Sequence, residues 1–273
     1  MKRNLKINLA LLALVLGAAI YTGCKDGLAS FLSLDQDIQL GQQLDTEINS
    51  DPSKYTVLSR SDSRYAWSYQ YLDNMRDQIL ATGASNGSMN HRNEFPWKLT
   101  ILRGNELNAF CAPGGYMYVY TGLIQYLDQP DDLAGVLGHE MAHADRRHTS
   151  KSMVQQYGLQ FVLDLLLGEN RQQLSQVAGG LIGLQFSRDH EKDADKYSVR
   201  YLNGSNYACN GAASFFAKLI ASGQGSGTPA FLSTHPDPGN RVSAINGEAS
   251  TQGCSTSGSG NTADWQRLKR ELQ

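Results

Sequence analysis

The sequence predicts an α+β fold, predominantly helical, with one small β-sheet. Three observations carry that expectation. Residues 96–120 alternate apolar and polar with the period of strands, and no comparable region occurs elsewhere. Helical apolar spacing fills the chain before and after that region. A length of 273 residues with 41% apolar and 18% charged content suits a globular protein with one large core. One domain is expected, not two.

The chain begins "MKRNLKINLALLALVLGAAIYTGC", with Lys2, Arg3 and Lys6, an apolar run from Leu9 to Ile20, and small residues before Cys24. That is the order of a secretory signal peptide, expected over 1–23. The run is short against the roughly 20 apolar residues a spanning helix needs. Tyr21-Thr22-Gly23-Cys24 resembles a bacterial lipobox, with Tyr21 where leucine is usual, and makes Cys24 the expected lipidation site. An uncleaved anchor and a plain signal peptide are the alternatives. Removing 1–23 takes away three positive charges and no acid, so the formal charge goes from −2 to −5. No Lys/Arg stripe with interleaved aromatics is present, which argues against a nucleic-acid partner. In an oxidising compartment Cys209 and Cys254, flanking a Gly/Ser-rich region, could form a disulfide. Cys111 then reads as a small buried apolar residue, and the absence of any CxxC pair excludes a cysteine zinc ribbon.

Residues 24–32 read as a lipid-proximal tether. "SLDQDIQLGQQLDTEI" (33–48) suits an amphipathic helix capped by Ser33, with Ile38, Leu40, Leu44 and Ile48 as its apolar side. A second helix is expected over 63–83, with Trp67, Tyr71, Met75 and Leu80 on or near one stripe and Gly83 as its stop. "PWKLTILRG" (96–104) follows as a half-buried strand, Trp97, Leu99 and Ile101 against Lys98 and Thr100. "NAFCA", "PGG" and "YMYVY" read as a hairpin, with Tyr116, Tyr118 and Tyr120 on one face and Met117 and Val119 on the other. Pro130 opens a helix whose apolar side holds Leu133, Val136, Leu137 and Met141. Two packed helices are expected over 153–186, each too short or too interrupted to span a bilayer. "SGQGSGT" (222–228) and residues 248–262 read as flexible. Residues 263–273 read as a C-terminal helix docking through Trp265, Leu268 and Leu272.

The helix begun at Pro130 carries His139-Glu140-Met141-Ala142-His143, which is H-E-x-x-H. Four residues advance a helix by about 400°, so the two imidazoles share one face and can reach one ion. Glu140 stands beside them, placed to act as general base on a metal-activated water. Alone, the pattern also fits a polar helix end with incidental histidines; the aliphatic approach "LAGVLG" argues for a buried helix. His148 is one residue short of the third ligand in HExxHxxGxxH, and Arg146 replaces the turn-making glycine. It reads instead as a histidine behind the ligands or at a helix end. Downstream, Glu191 and Asp195 lie four apart in "FSRDHEKDADKYSVRYL". Such a pair can ligate through the first residue and hold a ligand histidine's other N–H through the second. A solvated acidic face paired with Lys192 and Lys196 is the alternative.

"HEMAH" followed by "SRDHEKDAD" resembles the HExxH…SRxxExxAD pattern of the zinc endopeptidases grouped with the CAAX prenyl protease and the bacterial heat-shock protease HtpX. "NAFCAPGGYMYVYTGLI" is similar to that family's N-A-F-x-x-P-G-G segment, and "LSTHPDPGNRV" to its T-H-P-x-x-x-x-R stretch. The resemblance covers roughly residues 33–247 and implies a zincin-like metalloprotease domain there, whose edge strand lines the active-site cleft. It implies one Zn2+ per chain on His139, His143 and Glu191, with Glu140 as general base and Asp195 behind a ligand. Asn108 and Ala109 would offer backbone hydrogen bonds to an extended polypeptide substrate. His235 would either donate to the oxyanion or cap the zinc's open position; simple packing of its loop is the third reading.

The chain lacks the transmembrane helices of the family's membrane-embedded members and any following 34-residue repeat. It looks like the stand-alone exported lipoprotein branch, which acts in the bacterial periplasm on unfolded or damaged envelope proteins. An outer-membrane lipid anchor is the expected attachment. An assembly factor that holds extended segments on its edge strand with little proteolysis is the alternative. A zinc-stabilised structural protein would leave Glu140 no task.

Overall fold

Ser33 caps the first helix, α1 (Leu34–Ser50): its hydroxyl accepts the Gln36 N–H at 3.1 Å, and the Gln36 side chain accepts the Ser33 N–H at 2.8 Å. The computed structural model describes residues 32–168, 171–222, 230–235, 238–258 and 260–273. The expected signal peptide, Cys24, most of the tether and most of "SGQGSGT" lie outside the described residues.

A two-residue strand, β1 (Thr56–Val57), comes next, too short to leave a periodic trace in sequence. Helix α2 (Ala66–Ser85) runs past Gly83, so that glycine is not its stop. Gly83 is instead a contact point, where a Cβ would stand 3.2 Å from Met89 and from Tyr201. Strands β2 (Lys98–Arg103), β3 (Ala109–Ala112) and β4 (Tyr116–Tyr120) follow. The short α3 (Thr121–Tyr126) then leads to α4 (Pro130–Asp145). Residues 153–167, expected as one helix, belong to two, because Gly158 at φ 88° separates α5 (His148–Tyr157) from α6 (Leu159–Leu167). Helices α7 (Arg171–Gly180), α8 (Arg188–Leu202), α9 (Gly211–Ala221), α10 (Ala230–Thr234), α11 (Pro238–Gln252) and α12 (Thr262–Glu271) complete the described chain. α11 absorbs the first five residues of the stretch 248–262 that composition marked as flexible.

The sheet has the order β1-β2-β4-β3. β2 and β4 are parallel, with Leu99 opposite Met117; β3 and β4 form the antiparallel hairpin, with Phe110 opposite Tyr118. Both faces of the sheet are buried, so β2 is not the half-exposed strand its alternation implied, and Thr100 is buried too. Leu99, Ile101, Met117 and Val119 pack in a cluster with α2, α4, α8 and α9. Phe110, Tyr116, Tyr118 and Tyr120 pack on the opposite side with α1 and α5–α7. The hairpin's period of two thus sorts its side chains between two cores.

α4 lies deep in the first core and needs close neighbours. A Cβ on Gly135 would stand 2.0 Å from the Ala212 backbone nitrogen, so α4 and α9 cross in backbone contact. Trp265, Leu268 and Leu272 of the C-terminal segment are buried against the same core. The sulfurs of Cys209 and Cys254 are bonded, across a sequence separation of 45, and join the start of α9 to the end of α11. Closing a loop of that length stabilises by about 4 kcal/mol in the chain-entropy model. Among the described residues no helix is long and apolar enough to cross a membrane.

Candidate metal centre

Pro130 in the first turn, with Gln129 and Asp132 bonding reciprocally around it, starts α4. Every residue from Asp132 to Asp145 on that helix is buried. His139, Glu140 and His143 therefore sit inside the protein, at most 1% exposed. Ser187 caps α8 by accepting the His190 N–H at 3.1 Å, and the first turns of α8 carry Glu191 and Asp195 to the same place. His235, directly after α10, closes the group.

His139, His143, Glu191 and His235 each present one ligand atom, all within 4.8 Å of one another. His143 Nε2 lies 3.0 Å from His139 Nε2 and 3.4 Å from Glu191 Oε1. His235 Nδ1 lies 2.8 Å from Glu191 Oε1 and 3.3 Å from His139 Nε2. The His235 ring is held between Phe231, stacked at 4.2 Å, and Phe186, stacked at 5.1 Å. Glu140 is buried beside them, its Oε1 3.5 Å from His235 Nε2, and neither of its oxygens has a hydrogen-bond partner among the described residues.

Two features behind these atoms fix them. Asp195 Oδ1 lies 3.0 Å from His139 Nδ1, the contact that orients a ligand histidine. Arg241 of α11 ties the carboxylates together, its Nε 2.7 Å from Asp195 Oδ2 and its Nη1 2.8 Å from Glu191 Oε2, with Nη2 also on Asp195 Oδ1. Sequence reasoning gave Arg241 no role; its one signal was the closing arginine of "LSTHPDPGNRV". With the imidazoles neutral, as metal ligation requires, and the other groups ionised, the buried carboxylates of Glu140, Glu191 and Asp195 exceed the single guanidinium by two negative charges. A divalent cation would neutralise that excess, and an uncompensated one would be costly.

Burial pushes the Glu140 carboxyl above the usual glutamate range, and His235 and His139 offset only part of that. Burial also holds His143 well below the usual imidazole value, which keeps it neutral and able to ligate. Burial would raise Asp195, but the Arg241 charge and the His139 hydrogen bond bring its carboxyl below the usual range.

The edge strand needs one correction. Tyr120 N donates to Asn108 O at 3.1 Å, so the Asn108 backbone faces β4 and is not free for a substrate. By the alternation of an antiparallel pair, the backbone groups of Ala109 and Cys111 face outward. The Asn108 side chain is what remains: it is 1% exposed, and both its amide oxygen and nitrogen lack partners among the described residues. On the outer edge, Thr149 Oγ1 donates to Cys111 O at 3.0 Å.

A helix bearing HExxH, a second helix bearing the glutamate, and an unpartnered carboxylate between them define a metallopeptidase centre. The sequence profile of Peptidase family M48 matches residues 72–249. The chain belongs to that family. Among relatives, it is 26% identical to Metalloprotease YcaL of Escherichia coli over 253 residues, 86% of this chain and 94% of that protein. It is 26% identical to the Beta-barrel assembly-enhancing protease of Yersinia pestis over 227 residues, 78% of this chain and 43% of that protein. A match to Mitochondrial metalloendopeptidase OMA1 of Schizosaccharomyces pombe is 27% identical and covers 78% of this chain and 61% of that protein. The chain thus spans less than half the length of the assembly-enhancing relative.

Proposed function

We propose that the protein is a zinc-dependent endopeptidase that cleaves unfolded or damaged polypeptides of the bacterial envelope, held at the membrane by a lipid on Cys24. The observation that carries the metal reading is the spacing of the four donors. Tetrahedral ligands at the 2.0–2.1 Å of zinc–nitrogen bonds stand about 3.3 Å apart, and with Oε1 as the Glu191 donor four of the six donor pairs here lie 2.8 to 3.4 Å apart, all six within 4.8 Å. Three imidazoles and one carboxylate are also a donor set that suits zinc. Zinc, when bound, supplies an acidified water and polarises the scissile carbonyl.

The residues of the chain do the rest. Glu140 takes a proton from the attacking water and delivers it to the leaving amine; its raised affinity for protons suits that shuttle. Once the edge at Ala109, fully buried here, is uncovered, its outward backbone groups extend the sheet with a substrate strand, and the Asn108 amide positions that strand through two atoms that have no partner among the described residues. His235 acts as a cap at the fourth position, which substrate must displace. Envelope substrates are supported by the names of the assembly-enhancing relatives, and export by the N-terminal segment ending at Cys24.

The test is Glu140→Gln. Cleavage of an unfolded outer-membrane protein is expected to be lost in this variant, with zinc content and thermal unfolding as in wild type. Persistent cleavage sinks the mechanism. The assembly role in the relatives' names supports a second reading, in which the chain holds extended segments and rarely cuts; Glu140→Gln would then still promote assembly of that substrate.

A further inference from the structure

His148 is 3% exposed and does not belong to the four-donor cluster, yet it touches one of the donors. Its Nδ1 lies 3.3 Å from His143 Nδ1 and its Nε2 lies 3.3 Å from Asp193 Oδ2. The ring stacks on His190 at 4.5 Å with 13° between planes, which fixes its orientation. Asp193 is held in turn by Arg146, whose Nε lies 3.0 Å from the same oxygen.

The proton positions follow from which nitrogen faces the metal cluster. His143 points Nε2 there, so its Nδ1 carries the hydrogen and needs an acceptor. His148 Nδ1 faces that hydrogen. Accepting it leaves the His148 proton on Nε2, aimed at the Asp193 carboxylate. Arg146, Asp193, His148 and His143 therefore form one directed chain of hydrogen bonds toward the metal.

The turn that brings His148 back is unusual. Arg147 adopts a left-handed φ of 60°, the conformation a glycine would take at low cost. A non-glycine residue there holds a strained backbone that its surroundings must maintain. Arg147 Nε bonds Asp37 Oδ2 at 2.6 Å, and its Nη2 bonds Leu32 O at 2.6 Å, so α1 holds the turn closed.

We infer that His148 is a positioning residue of the metal centre: it accepts the His143 Nδ1–H and so locks that ligand with Nε2 toward the ion, while Asp193 fixes the His148 tautomer. The inference rests on the metal reading above. It gives the two histidine ligands different supports, a carboxylate directly behind His139 and a carboxylate acting through an imidazole behind His143. Contacts of this kind are worth roughly 10–100-fold in metal affinity.

The experiment measures zinc affinity by chelator competition on the metal-stripped full-length protein, alongside the unfolding temperature of each metal-free variant. His148→Leu is expected to raise the zinc Kd about 10–100-fold. His148→Asn, whose amide oxygen sits where Nδ1 sat, is expected to bind within about threefold of wild type by restoring that acceptor. Asp193→Ala, at a position 32% exposed and thus tolerant of change, is expected to weaken zinc several-fold. A His148→Leu variant that binds zinc as tightly as wild type overturns the inference, and so does an Asn variant as weak as Leu. If Leu fails to fold, the Asn and Asp193→Ala affinities decide. A wild-type chain that takes up no zinc overturns the metal reading itself, and this inference with it.

Discussion

Nδ1 of His235 stands 2.8 Å from Oε1 of Glu191, inside the ring of donors. An oxyanion donor would stand off the cluster by the width of a substrate carbonyl. The stacking of Phe231 and Phe186 on the imidazole holds it among the other three donors, as the proposed cap requires. His235→Ala is therefore expected to raise the initial rate of casein cleavage several-fold while weakening zinc binding. A fall in rate would return His235 to the oxyanion role, and an unchanged rate would remove both.

Asn108 predicts a split between stability and turnover. Its side-chain oxygen and nitrogen are buried and have no partner among the described residues, so truncation removes no hydrogen bond there and relieves two desolvated atoms. Asn108→Ala is expected to leave the unfolding free energy unchanged or slightly higher. A lost substrate hydrogen bond of about 1.4 kcal/mol would lower kcat/KM roughly tenfold. Lost stability with unchanged kcat/KM would show that the amide serves the fold alone.

Arg241 is the reverse case. It is 5% exposed, pairs with Asp195 and Glu191, and lies 3.9 Å over the Phe216 ring. Arg241→Met keeps the volume and leaves two buried carboxylates facing each other. Breaking such a group by removing one partner costs about 3–5 kcal/mol. The metal-free variant is expected to lose that much in denaturant titration, with excess zinc recovering part of it because the ion binds only the folded state. A loss below about 1 kcal/mol would mean the carboxylates relax or take up protons at little cost.

Much of this centre was legible in sequence because helical spacing dictates it. His139 and His143 share a face whatever the fold, and Glu140 must lie beside them. Glu191 and Asp195 were tied to each other by the same spacing, but only the motif tied them to α4. Arg241 escaped because a lone arginine after "HPDPGN" has no periodic partner, and its two carboxylates lie 46 and 50 positions away. Asn108 lies just before β3 with its backbone facing β4, not outward. A period of two shows which residues alternate, but not which set bonds to the neighbouring strand. β1 and the break at Gly158 were hidden for a simpler reason: two residues make no period, and one glycine inside an apolar run reads equally as helix.

Asp193 makes the last prediction, and its sign can be worked out. Burial would raise its carboxyl, but hydrogen bonds from His148 and Arg146 outweigh that and bring it from 3.8 to about 2. A carboxyl whose folded pKa is depressed stabilises the fold fully above its unfolded value, and that contribution is lost as pH falls through the folded one. For a fully buried group that depression would correspond to about 2.5 kcal/mol. The side chain is 32% exposed, so solvent screening reduces this to about 1 kcal/mol. Denaturant unfolding of metal-free wild type and Asp193→Ala is expected to differ by about that amount at pH 7 and at pH 5. The gap is expected to narrow below about pH 4 and to be nearly gone at pH 2. Stripping the metal matters, since zinc binding releases protons of its own and would tilt both curves. A difference that holds constant down to pH 2 would show that Asp193 contributes by packing and not by charge.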